Sequence, residues 1–180
     1  MNEIKMRPGQ ESLHLVMMTY VSVGDLQKCK WTLSTLKDMK FHPNTTTINI
    51  LLAGHLYSSD TFNERDFTDS YTKHFVYGDL EPDRFTYTQL LLACEKCKSP
   101  FDAAVYFNKF LKTKLRITVA MKNSLLNALG DEYPKYVATL NETNRKLLEN
   151  VEVIEHSMKS KKVEVVVPGA MKAYVPKKTL

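Results

Sequence analysis

The chain is poor in the residues that punctuate or staple a fold. Three cysteines in 180 residues cannot all pair, and they are too sparse for a secreted disulfide scaffold; a reducing compartment or an organelle interior fits better. Six glycines and seven prolines exclude collagen and low-complexity linkers, and are fewer than a nucleotide-binding α/β enzyme uses. No apolar run approaches the roughly 18 residues that a membrane-spanning helix needs. Residues 1–10 contain Lys5 and Arg7 but no apolar stretch, so they do not read as a secretory signal, and they are short for a mitochondrial presequence. There is no glycine-rich phosphate loop, no G-x-S-x-G, no H-E-x-x-H and no kinase motif set. The chain therefore reads as a non-enzyme without a cofactor or small-molecule substrate.

What is present begins with length, enough to bury a core unaided. Net charge is +5, and its placement matters more than its size. Residues 156–180 hold six of the 25 basic residues and one of the 20 acidic ones, leaving 19 of each in residues 1–155. The body is neutral and the tail carries the excess. A basic tail means either contact with nucleic acid or another acidic surface, or a solvated end. Val163, Val165, Val166 and Val167 favour an extended strand, and Pro168-Gly169 turns it.

Three segments share a pattern, beginning at Gln10, Thr45 and Arg84, and a fourth begins at Val119; the spacings are 35, 39 and 35 residues. The longer one has room for an insertion around 63–66. Each unit reads as two helices. In the first, Leu15, Val16 and Tyr20 line one helix, Gly24-Asp25 breaks it, and Asp25 caps a second helix carrying Leu26, Cys29, Leu33, Leu36 and Met39. In the third, Leu90, Leu91 and Leu92 belong to the first helix. Ser99-Pro100 resembles an N-cap followed by proline at the first helical position, and Phe101, Ala104, Phe107 and Phe110 form the next apolar stripe. In the fourth, Gly130 ends a helix and a longer one runs from about 135 to 156. No pair covers its own apolar face, so neighbouring pairs stack.

PNTTTINILLA at 43–53, EPDRFTYTQLLLA at 81–93 and VGDLQKCKWTLSTLKDMK at 23–40, with the NSLL core after Lys122, resemble pentatricopeptide repeats over residues 10–130. Tetratricopeptide repeats share the period but open on a Trp-x2-Leu-Gly motif that this chain lacks. The resemblance implies an all-α, right-handed α-solenoid of helix-turn-helix repeats over residues 10–155, between an N-terminal segment, 1–9, and an extended basic tail, 156–180.

In that family each repeat reads one RNA base with a side chain on its first helix and another at its last position. The matching residues here are His14 with Asn44, Asn49 with Asp83, and Thr88 with Thr118; Asn123 opens the last repeat without a partner. Asn followed by Asp is the family's combination for uracil. The second position, which sandwiches the base, holds Glu11, Thr46, Phe85 and Ala120, of which Phe85 offers a stacking surface. Lys159, Lys161, Lys162, Lys177 and Lys178 would hold phosphates. The resemblance implies mitochondrial or other organellar localisation, single-stranded or ribosomal RNA as ligand, and protein neighbours within a ribonucleoprotein such as the mitochondrial ribosome or an RNA-processing complex. A purely protein-binding solenoid is the other reading.

Two further constellations read as packing or surface. Cys94-x2-Cys97 is half a zinc site without a second pair of ligands. Asp66 and Asp69 share a helix face as metal-holding carboxylates do, but a charged, solvated face is the preferred reading.

Overall fold

A computed structural model describes residues 8–151, and among these every regular element is helical, with no strand. The fold begins with α1 (Gln10–Ser22) and α2 (Leu26–Asp38), followed by α3 (Thr45–Tyr57) and α4 (Glu64–Tyr71). A π turn (Thr72–Val76) extends α4. Next come α5 (Arg84–Cys97), α6 (Pro100–Lys112) and α7 (Val119–Leu129), a 3-10 turn (Gly130–Glu132), α8 (Tyr133–Thr139) and α9 (Glu142–Glu149). Helices α1, α3, α5 and α7 start at the four residues where the sequence units begin.

Caps and glycines set these boundaries. Asp25 accepts the Lys28 backbone N–H at 2.9 Å, Asn44 and Asp83 close capping boxes on α3 and α5, and Thr118 caps α7. Gly24 turns at φ +73°, and a Cβ there would meet the Ser59 backbone nitrogen at 2.9 Å, so both conformation and space call for glycine. That contact also shows where the second unit's extra residues go. They lengthen the α3–α4 connection over 58–63, which folds back onto the α1–α2 turn through Ser59 N–H···O=C Gly24 at 3.0 Å, rather than forming an insertion at 63–66, where α4 already starts.

Helices α1, α3 and α5 each pack on the helix after them and on the next odd-numbered one: α1 on α2 and α3, α3 on α4 and α5, α5 on α6 and α7. Helix α3 has neighbours on both sides and is buried almost all round, as the apolar run ILLA demands. Ile50 and Leu51 join Met17, Cys29 and Leu33 in one core cluster, while Ile48, Leu52 and Leu56 join a larger cluster that includes Leu90, Leu91, Phe107, Phe110, Met121 and Leu125.

Several sequence expectations need correction. Helix α1 buries Leu13 and Met17, not Leu15 and Val16, which are 65% and 40% exposed; as the first described helix it has a partner on one side only. Helix α6 buries Ala103, Phe107 and Phe110, whereas Phe101 is 77% exposed in its first turn. Ser99 stands at the N-cap but donates to Asp102 Oδ2 at 2.6 Å instead of capping a backbone amide. Within the described residues the long helix expected from about 135 is broken into α8 and α9, because Leu140 leaves helical conformation and the Asn141 side chain caps α9 through the Asn144 N–H at 2.8 Å; the part expected over 152–156 lies outside the described residues. The expected strand at Val163–167 and the basic tail lie outside the described residues.

Candidate nucleic-acid interface

The site is assembled by helix starts. Asp83, at the N-cap of α5, accepts the Thr86 N–H with Oδ1 at 2.9 Å, and the same oxygen accepts Asn49 Nδ2 from α3 at 2.9 Å. Thr86 Oγ1 donates to Asn49 Oδ1 at 2.8 Å. Gln89 Nε2, one turn along α5, donates to the Asn49 backbone carbonyl at 2.9 Å. Asn49 is thus buried and held from α5 at three atoms, a polar network that fixes the setting of α3 against α5.

The preceding junction repeats the arrangement with different chemistry. His14 Nε2 of α1 contacts Thr47 Oγ1 of α3 at 2.7 Å, and Thr47 closes the capping box with Asn44. Burial lowers the His14 pKa, and Glu11 partly offsets this. At the junction of α5 and α7 the pattern lapses. The third residue of α7 is the buried Met121 rather than a threonine, and Thr88 turns back to donate to the Arg84 carbonyl at 2.8 Å while Thr118 only caps its own helix. Two of the three expected pairs are therefore linked through a threonine, and Thr88 and Thr118 are not. Asn123 is exposed on α7.

A groove of about 460 Å³ opens between α1, α3 and α5. It gathers Thr46 and Phe85, the second residues of consecutive units, with Asn49 and Asp83. Its other walls are mostly apolar, among them Met18, Val21 and Ile50. Phe85 is 61% exposed, and the Arg84 guanidinium lies 5.4 Å from its ring centroid. One unit earlier, a second groove of about 600 Å³ is lined by Glu11, His14, Asn44 and Thr46, so Thr46 is common to both. In the first groove one N–H of Asn49 and Asp83 Oδ2 have no hydrogen bond among the described residues. Side by side they offer one donor and one charged acceptor.

Asn49, Asp83 and Phe85, singled out in the sequence, meet at this groove, and Thr47, Thr86 and Gln89, which were not singled out, complete the hydrogen-bond networks beside it. The signal was Asn44-x-x-Thr47 and Asp83-x-x-Thr86, a capping pattern repeated one unit apart. Lys159, Lys161, Lys162, Lys177 and Lys178 lie outside the described residues.

The cysteines and the acidic pair Asp66 and Asp69 lie away from this groove. Cys94 is buried in the core, and desolvation pushes its thiol up to about 12; Cys97 and Cys29 rise to about 11 for the same reason. Burial thus disfavours the thiolate form and the nucleophilicity that goes with it. Asp66 lies 4.0 Å from the Lys30 ammonium, and Asp69 is 4.0 Å from Arg65. Among the described residues no three His, Cys, Asp or Glu side chains gather as a metal site does, and no helix is long and apolar enough to cross a membrane. No model of a protein family and no curated protein matches the chain.

Proposed function

We propose that this protein is a non-catalytic, RNA-associated adaptor of an organellar ribonucleoprotein, in mitochondria, built as a right-handed α-solenoid of pentatricopeptide-like helix pairs. The observation that carries the reading is the convergence of Thr46, Asn49, Asp83 and Phe85 on one groove. In this reading a base lies between Thr46 and Phe85, stacked on the aromatic ring. Uracil suits the polar pair: a carbonyl oxygen takes the Asn49 N–H, and the adjacent N3–H reaches Asp83 Oδ2. One such groove, with a less apt neighbour at His14, reads too few bases to find a site alone. Affinity then comes from phosphate contacts, the tail lysines included, and from protein neighbours in the particle.

The apolar side chains around the pair favour a second reading, a partner helix docked in the same groove. Met18 is 54% exposed, and Leu15 lies one turn away on the same helix. Such binding depends little on salt and survives RNase.

Sedimentation of the tagged full chain from organelle lysate separates the two. The adaptor reading expects co-migration with a large particle that collapses on RNase treatment. A light position, unchanged by RNase, would leave the protein-binding solenoid as the better account.

A further inference from the structure

The body is neutral as a whole, yet its charge is segregated. From Ala103 to Gly130 there is no acidic residue, while Lys109, Lys112, Lys114, Arg116 and Lys122 give that stretch a charge of +5. Four of these cations fall within 109–116, the end of α6 and the loop to α7. None of the ion pairs found among the described residues involves the four cations of 109–116; those pairs lie on α2, α4 and α9 and at the α2–α4 contact.

The loop turns at Lys114, in the left-handed region at φ +59°, and faces α9 across a groove of about 530 Å³. Leu111, Leu115, Leu147 and Val151 give the groove an apolar wall, and Lys114 and Arg116 also line it. Leu115 is 44% and Leu147 52% exposed. The acidic residues of α9 do not offset the cations: Glu142 is held by Lys146 at 2.6 Å, and neither Glu142 nor Glu149 lines the groove.

We infer that this groove docks an acidic, amphipathic segment of a partner protein, with its apolar side chains against Leu115 and Leu147 and its carboxylates on Lys114 and Arg116. Two features select this chemistry. A nucleic-acid backbone needs cations but no apolar wall, whereas an uncharged apolar helix gains nothing from a cationic lining. The groove shares no residue with the one between α1, α3 and α5, so the inference does not depend on what that groove takes. A protein able to hold RNA at one groove and an acidic protein segment at the other has the two contacts an adaptor requires.

The probe is a fluorescein-labelled peptide of about 15 residues with leucines at helical spacing and glutamates between them, titrated with the full chain and followed by anisotropy. Expected is saturable binding with a Kd of about 1–50 μM, weakened about tenfold or more by Lys114→Glu with Arg116→Glu and, separately, by Leu147→Asp. All three positions are exposed, so the circular dichroism and melting of these variants should match the parent; Leu147→Ser replaces Leu147→Asp if that variant melts early. A serine-for-leucine version of the peptide should bind at least about tenfold more weakly. Equal binding of the serine peptide, or its equal displacement by oligouridine, would make the patch a general polyanion site and overturn the inference. Absence of saturable binding overturns it as well, including the case in which residues 152–180 or a second copy of the chain fill the groove.

Discussion

Phe107→Ala should lower unfolding stability by about 3–5 kcal/mol, while Phe101→Ala, six residues earlier on the same helix, should change it by no more than about 0.5 kcal/mol. Phe107 is fully buried, with its ring centroid 6.0 Å from that of Phe110 and 6.4 Å from that of Tyr136. Truncation removes those contacts and leaves a cavity bounded by α5, α6 and α7, which pack on one another and cannot easily close it. Phe101 is mostly exposed and makes no core contribution. Urea denaturation followed by helical circular dichroism reads the difference. Comparable losses at both positions would mean that α6 presents another face to its neighbours.

The second large effect is a loss of stability in mild acid. His55 is 3% exposed, packs edge-on against Phe67 at 6.5 Å and contacts Ser70 Oγ with Nε2 at 3.2 Å. Desolvation, reinforced by Lys30 and partly opposed by Asp66, depresses its pKa from 6.5 to about 4. The unfolded chain therefore binds a proton at this site that the folded chain refuses. Stability is independent of His55 above about pH 6.5 and falls as pH drops towards 4. Below about 4 both states are protonated and the loss stops growing. At about 1.4 kcal/mol per pH unit the full cost is about 3 kcal/mol. Burial also lowers the pKa of His14 and His74, so they add to the slope in the same direction. His55→Gln should flatten the larger part of the dependence between pH 6.5 and 4.5, measured by chemical denaturation at each pH. An unchanged slope in that variant would assign the acid sensitivity to other groups.

How far the sequence carried this account differs from element to element. The starts of α2, α3 and α5 were legible because each is marked by cap chemistry: Gly24-Asp25 and the Pro-Asn and Pro-Asp pairs act within three or four residues. Helix α1 has no side-chain cap, and its start, like that of α7, followed from the repeat spacing. The buried face of α1 was not legible, because Leu13 and Met17 compete with Leu15, Val16 and Tyr20, and each set contains a pair four residues apart. What separates them is which side α3 occupies, a long-range fact. The break at Leu140 was missed because Asn141 and Asn144 read as ordinary polar positions within a helix. Phe101 joined the stripe by spacing, but the buried face of α6 runs through Ala103, Phe107 and Phe110, and Phe101 is left exposed. Asn49 and Asp83 came together as expected because a cap residue on one helix faces the helix one unit earlier. The threonines that complete their network were overlooked, since a threonine three residues into a helix has several equally ordinary roles. The 109–116 cations were hidden by adding up the charge of the whole body.

The central claim, that the groove between α1, α3 and α5 takes an RNA base, is tested most directly by equilibrium binding of labelled oligouridine and oligoadenosine to the full chain and to Asp83→Asn. Asparagine at 83 keeps a good N-cap and the oxygen that serves Asn49 and Thr86, so the fold should persist. It replaces the free carboxylate oxygen with an N–H donor, which repels the uracil N3–H. The account predicts an oligouridine preference in the parent of about tenfold, reduced to near parity in Asp83→Asn, with Phe85→Ala weakening both oligonucleotides. Equal affinity of the parent for the two RNAs, or a uridine preference untouched by Asp83→Asn, would contradict it.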